Sequence, residues 1–312
     1  MPLTTEQLAT RKQRLSATDI GAIIGVNPYQ SAADVQFSKL YDLDPLEETE
    51  AMAVGNMCEP GLVKWGAETL GFTVEYPLPT VIHPKCDLLC ATPDARIIEA
   101  PAGIEAKTGG IVRGFASKEE WGEPGSDHIP QMYTAQVYTQ MAVMGWDVVH
   151  VAALIAGRGR VLYTVERSDD DAEALIEISR AWWQKHIVEK APCVNADGTP
   201  IYPSMETLKR IRRVPKSPRE VPAHIVRAAI EAAEIYKQAE ERKEQTREAL
   251  LACIGDGDAA VIGGFVVATY NEINRKGYTV APSKHRSLRM SKDAAELVAA
   301  AETKAEIRGE AA

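Results

Sequence analysis

Cys90-Ala91-Thr92-Pro93-Asp94-Ala95-Arg96-Ile97-Ile98-Glu99-Ala100-Pro101-Ala102-Gly103-Ile104-Glu105-Ala106-Lys107 reads as two short apolar strands meeting at a turn. Strand side chains alternate between faces, so Glu105 and Lys107 share one face while Ile104 and Ala106 take the other. Asp94 stands at the tight turn before them. Apolar neighbours such as Leu89, Ile97, Ile98 and Ile104 suggest a buried sheet, where an unpaired acid is costly unless it meets a metal or a partner.

Working outward, residues 50–70 predict a long helix closed by Gly71, with Val54, Cys58, Leu62 and Trp65 as its apolar stripe. Glu59 lies beside that stripe. Gly55, one turn earlier on the same face, is read as a place where a backbone or a ligand comes close. A second long helix is expected over 128–144, with Tyr133, Val137, Met141 and Met144 as its stripe and Gln136 and Gln140 as a polar ridge. Strands are expected at 73–76, 80–82, 88–91, 96–98 and 103–106, and a hairpin at 147–156 and 160–165. A helix over 169–190 carries Trp182 and Trp183, assigned to core or subunit packing.

Upstream, Ser16 and Ser31 each precede an acid by three residues (Asp19 and Asp34), the capping-box pattern that opens a helix. The order α-β-β-β-α-β-β-α from 50 to 190 gives an α/β fold with a central mixed sheet flanked by helices. The expected organisation is a core over 1–190, a basic, Pro-containing linker over 191–222, and a C-terminal extension over 223–312. That extension combines a long polar helix, a β-hairpin at 260–270 and an Ala/Glu-rich tail.

Composition is that of a globular chain: 312 residues, 45% hydrophobic, 25% charged. No apolar run approaches a membrane span, and the first residues lack the basic flank and apolar core of a signal peptide, so a cytosolic protein is expected. Five cysteines without zinc-type spacing read as reduced thiols. The formal net charge of −9 argues against nucleic-acid binding by bulk charge. Two local basic tracks, 208–219 and 273–292, leave room for a local field.

Asp94, Glu105 and Lys107 supply what phosphodiester hydrolysis needs. Two carboxylates can hold Mg2+ or Mn2+, ions that take oxygen ligands. A lysine on the same face can hold the attacking water and stabilise developing negative charge. Singly, each residue has a plainer reading: Glu59 a helix-surface acid, Gln136 a boundary polar residue, Arg11 a surface arginine.

Their joint order resembles the PD-(D/E)XK nucleases, and among them the phage lambda exonuclease group of YqaJ-type viral recombinases. The blocks are Arg11, Ala17-Thr18-Asp19-Ile20, Glu59 on a helix, Pro93-Asp94 followed by Glu105-Ala106-Lys107, and Tyr133-Thr134-Ala135-Gln136. The resemblance implies a restriction-endonuclease-like core, with Asp94, Glu105 and the carbonyl of Ala106 as metal ligands and Glu59 reaching a metal directly or through water. It implies that Lys107 positions the nucleophilic water, assisted by Gln136, with Tyr133 nearby. Arg11 would hold a 5′-terminal phosphate, with hydroxyls from Thr18 and Thr92.

The same resemblance implies two Mg2+ or Mn2+ ions per site and duplex DNA ends as substrate, degraded from the 5′ end to leave 3′ single strands. It further implies a single-strand annealing protein as partner, a homotrimeric ring, and a bacterial host cytoplasm with phage or prophage origin. The sequence departs from the group at Ala95, where Gly is common, and at Tyr138, where a second Gln is common; whether Gln140 substitutes is left open. The alternatives are an endonuclease of the same superfamily and a non-catalytic DNA-end-binding scaffold.

Overall fold

The computed structural model describes residues 3–112, 120–262, 265–271 and 299–300. The chain divides into two compact units, Met1–Arg213 and Val214–Ala312.

In the first unit, five strands form a mixed sheet in the order β2 (Val74–Glu75), β5 (Ala95–Ile97), β6 (Ala102–Gly109), β7 (Val148–Ile155) and β8 (Gly159–Glu166). β5 and β6 pair antiparallel, with Ala95 opposite Ile104. β6 and β7 pair in parallel over eight registered positions, from Ala102↔Val148 to Gly109↔Ile155. Parallel neighbours need a long crossover, and α5 (Gln131–Met144) lies within it.

The parity of β6 decides what each helix meets. Ile104 faces α4 (Glu50–Leu70), whose Leu62, Val63 and Ala67 pack with Ala95, Ile97 and Ala152. Burial of each such aliphatic side chain is worth about 1.5–3 kcal/mol. The opposite face of the sheet, with Val149, Val151 and Ala153, receives Val137 and Met141 of α5. The mixed α/β architecture flanked by helices is as expected, with one difference. β4 (Cys86–Ala91) does not join the main sheet but a second one, in the order β1 (Leu15–Ser16), β4, β3 (Val81–His83), so residues 92–94 link two sheets.

Two glycines carry close approaches. A Cβ on Gly103 would fall 2.1 Å from the Trp146 ring, which covers β6 at that point. On α4 it is Gly66, with Ile104 and Ala152 within 3.4 Å of a built Cβ, that admits the neighbouring sheet. No neighbouring backbone comes close at Gly55, since nothing lies within 4 Å of its built Cβ. The buried face of α4 is its C-terminal half, and Val54 and Cys58 are only partly covered.

α1 (Thr5–Lys12), α2 (Ala17–Ile23) and α3 (Ala32–Leu40) precede this core, and both expected capping boxes form, at Ser16 and at Ser31. The helix expected over 169–190 is α-helical only for α6 (Asp169–Trp183), and Gln184–Val188 is a π-helical turn. Trp182 is buried in the core beside α2 and β4.

Residues 191–213, expected to begin a linker, lie in the first unit. Gln36 Nε2 donates to the carbonyls of His186 and Ala191, both at 2.8 Å, and Ser204 N donates to Asp34 Oδ1 at 2.7 Å. α7 (Met205–Arg210) follows, and Leu43 bridges to Ile211. These are contacts between residues some 150–170 positions apart, which local composition does not register.

The second unit contains α8 (Ala223–Ile254) and the hairpin β9 (Ala259–Ile262) and β10 (Phe265–Thr269). None of the described residues of α8 is buried. The basic track at 273–292, the Gly263-Gly264 turn and the tail at 301–312 lie outside the described residues. Among the described residues no helix is long and apolar enough to cross a membrane.

Candidate active site

Asp94 and Glu105 meet because of register. With Ala95 opposite Ile104, the next positions along the ladder are Asp94 and Glu105, on the face turned to α5. Asp94 Oδ2 accepts from the Ala106 amide at 2.8 Å, closing the junction between the two sheets onto β6.

Glu105 is 2% exposed. Its Oε1 accepts from Lys107 Nζ at 2.5 Å and from Gln136 Nε2 at 2.6 Å, and its Oε2 accepts from Gln140 Nε2 at 2.8 Å. Gln136 and Gln140 are four apart on α5 and therefore on one face of it. Lys107 Nζ also sits 5.1 Å from the centre of the Tyr133 ring, a cation–π contact. That ring is packed by Trp121, 5.7 Å away between centroids.

The electrostatics separate the groups. Burial, then the charge of Glu105, pushes the Asp94 carboxyl well above the usual carboxylate range; Glu59 pushes the same way, against Lys107 and the Ala106 amide. Burial would lower Lys107, but Glu105 and Asp94 beside it outweigh that and hold its ammonium above the ordinary lysine range. Glu59 on α4 accepts from the Tyr76 hydroxyl at 3.1 Å. Burial and that carboxylate together push the Tyr76 phenol up to about 12.

A second polar group lies at the start of β4's neighbour. Arg11 Nη2 donates to Ser16 Oγ at 2.9 Å and Thr18 Oγ1 at 2.5 Å. Ser16 pairs with Cys90 across β1 and β4, two residues before Thr92 and four before Asp94. Asp19 accepts from the Ser16 amide, the Ser16 hydroxyl and Lys39 Nζ, each at 2.8 Å. Lys39 Nζ also donates to the Arg11 carbonyl. Thr92 is engaged elsewhere, its hydroxyl 2.7 Å from that of Thr80.

Of the expected residues, Asp94, Glu105, Ala106, Lys107, Gln136 and Tyr133 are thus gathered at one place, with Glu59 coupled to Asp94 by charge. Arg11 and Thr18 form their own cluster. Three participants were not singled out for these parts by sequence. Ser16 reads as a cap yet also receives Arg11. Lys39 neutralises Asp19 from another helix. Gln140 grips Glu105, and its position one turn beyond Gln136 was the available signal.

The donor set bears on a metal. Among the described residues no three His, Cys, Asp or Glu side chains are gathered into a metal cage. Two neighbouring carboxylates, Asp94 and Glu105, are instead the donor chemistry of a hard divalent ion held through one or two carboxylates and keeping several waters. Asp94, raised by burial and by two acids of its own sign, is where added positive charge would be most favourable.

Residues 6–147 match the family described as the YqaJ-like viral recombinase domain. Similar solved structures include an alkaline exonuclease (LHK-Exo) from Laribacter hongkongensis, at 17% identity over 60% of this chain and 94% of that one, with a TM-score of 0.45. LHK-Exo in complex with dAMP is similar at 17% identity, over 60% and 94% of the two chains, with a TM-score of 0.46. A phage related exonuclease from Haemophilus somnus 129PT is similar at 11% identity, over 57% and 96%, with a TM-score of 0.41. No curated protein matches. The stretch that matches the family model contains Arg11, Glu59, Asp94, Glu105, Lys107 and Gln136, and in this stretch the chain is similar to the YqaJ-like viral recombinase domain.

Proposed function

We propose that the protein is a divalent-metal-dependent DNA exonuclease that degrades linear duplex DNA from 5′ ends, leaving 3′ single strands for recombination by strand annealing. The observation that carries this reading is the Asp94–Glu105–Lys107 group, in which Glu105 is gripped from α5 by Gln136.

Asp94, Glu105 and the Ala106 carbonyl would hold the ion, with Glu59 acting on it directly or through water. A bound Mg2+ or Mn2+ supplies Lewis acidity, polarising the phosphate and acidifying a water. Lys107 is an ammonium at neutral pH, so it donates hydrogen bonds to water or a phosphate oxygen and does not serve as a proton acceptor. Glu105 and the Tyr133 ring fix where that ammonium points. Gln136 fixes Glu105 in turn. Arg11 is held by Ser16 and Thr18 with further donor capacity, and a 5′-terminal phosphate matches its planar fork.

On this reading residues 1–190 are the nuclease core, and the 223–312 extension serves assembly or binds the annealing partner. Truncation is best placed after Arg213, where the compact units divide, because residues 191–213 pack on α3. Such a chain is expected to lose assembly or processivity before it loses metal binding. A homotrimer is the expected assembly.

The test is digestion of end-labelled linear duplex, 5′-phosphorylated or not, beside a closed circle, with Mg2+ or with EDTA. Loss of linear DNA only with Mg2+, faster from phosphorylated 5′ ends, is expected, and Arg11→Ala should erase the phosphate preference. Cutting of the closed circle would move the reading to an endonuclease.

A further inference from the structure

Gln140 is 1% exposed, and its amide is divided between a satisfied half and an unsatisfied one. Nε2 donates to Glu105 Oε2 at 2.8 Å, while Oε1 has no hydrogen-bond partner among the described residues. The sense of the amide is dictated by its neighbour: an ionised carboxylate only accepts, so the NH2 must face it. Turning the amide over would aim a carbonyl at a carboxylate.

The arrangement sets a cost at Gln140 against a gain at Glu105. A buried carbonyl without a partner is destabilising, and an apolar side chain of similar volume would avoid that cost only by leaving Glu105 Oε2 without its donor. The surroundings are apolar: Val137, Met141 and Val151 pack in the same layer. The return must come through Glu105. Lys107 and Gln136 both bind Oε1, which leaves the carboxylate free to swing about that oxygen unless Oε2 is also held. Gln140 is the second anchor, one turn further along the same helix.

We propose that Gln140 is a positioning residue that pins Glu105 Oε2, so that α5 presents the Glu105 carboxylate to the metal in one orientation. Gln136 secures the oxygen shared with Lys107, and Gln140 secures the other. This inference rests on the nuclease reading, because an orientation matters only if the carboxylate has a ligand to meet. It also answers what Tyr138 leaves open, since the second amide in this chain stands at position 140.

The test is Gln140→Met in the full-length protein, which keeps volume and removes the donor. Three quantities are read: Mn2+ affinity by calorimetry, the melting temperature without metal, and steady-state cleavage of 5′-phosphorylated duplex. The Mn2+ dissociation constant should rise about tenfold or more, as losing a residue that orients a ligand typically does. The kcat should fall by a similar factor with KM for DNA within twofold. A merely structural role predicts only a lower melting temperature, with Mn2+ affinity intact, and that result overturns the inference.

Mn2+ affinity and kcat both within twofold of the parent also overturn it. Gln140→Asn, whose amide is one methylene too short for Oε2, carries the same expectations should Gln140→Met fail to fold. A parent protein that neither binds Mn2+ nor cleaves duplex DNA overturns the nuclease reading itself. Normal binding by the parent with an unaffected variant overturns the inference alone.

Discussion

Asp94 and Asp19 are two desolvated aspartates on neighbouring elements, and their carboxyls are displaced in opposite directions. Burial pushes both up. At Asp19, Lys39 and Arg11 outweigh burial, and the carboxyl ends below its ordinary range. At Asp94 the nearest charges include Glu105 and Glu59, and the carboxyl ends well above it. The first acid has its cation built in, as a lysine side chain that is 6% exposed. The second is short of positive charge in spite of Lys107. One cluster is a finished structural joint; the other, on the proposed nuclease reading, is a receptor for charge from outside the chain.

The sharpest way to break this comparison is Asp94→Asn. Nuclease activity should fall by about 10³-fold, as expected for removing a group that holds the catalytic charge. Metal-free stability, read by urea unfolding, should stay equal or increase, because a repelling charge is gone. A large loss of stability would mean that Asp94 is as structural as Asp19.

Asp19→Asn should behave in the contrary way. It strands Lys39 in a buried site, and breaking such a pair costs about 3–5 kcal/mol. Urea unfolding at neutral pH measures that loss.

Metal should discriminate next. Mn2+ at about 100 times its dissociation constant should add about 2.7 kcal/mol to the parent's stability. It should add the same to Asp19→Asn if that variant folds, and far less to Asp94→Asn. Thermal melting with Mn2+ and with EDTA reads the difference.

The smallest effect is in the pH dependence. Asp19 is depressed in the folded chain, so its contribution is fully present above the unfolded carboxyl value of about 3.9 and is lost as pH falls through the lower folded value. The gap in stability between parent and Asp19→Asn should therefore narrow on acidification from about pH 4 downward. A gap that widened on acidification would place the depressed carboxyl elsewhere.

The legible parts of the sequence were those with local rules. The capping boxes at Ser16 and Ser31 and the limits of α4 follow from side chains within one helical turn of each other. Strand alternation placed Glu105 and Lys107 together. What escaped depends on distant partners. Nothing near β4 announces that it leaves the main sheet for β1 and β3. The attachment of residues 191–213 to α3 runs through Gln36 and Asp34, far back in the chain. The glycine of α4 that admits the neighbouring sheet is Gly66, about three turns beyond Gly55, and periodicity alone does not say which end of a helix is buried. In the candidate site, Gln140 was visible as a residue while its bond to Glu105 was not, since the parity of β6 relative to α5 is a tertiary matter.

The pairing of Ala95 with Ile104 also governs how such a chain can change length. Asp94 and Glu105 face each other because they are counted from that pair, not because a set number of residues separates them. Residues added at the Glu99–Ala100 tip leave the ladder below in register, and the two acids stay opposed. One residue added or removed within β5 or at the start of β6 turns one acid to the other side of the sheet. The interval between the two carboxylates is therefore free to drift at the tip and fixed within the strands, so a search by spacing alone overlooks chains that keep the same geometry.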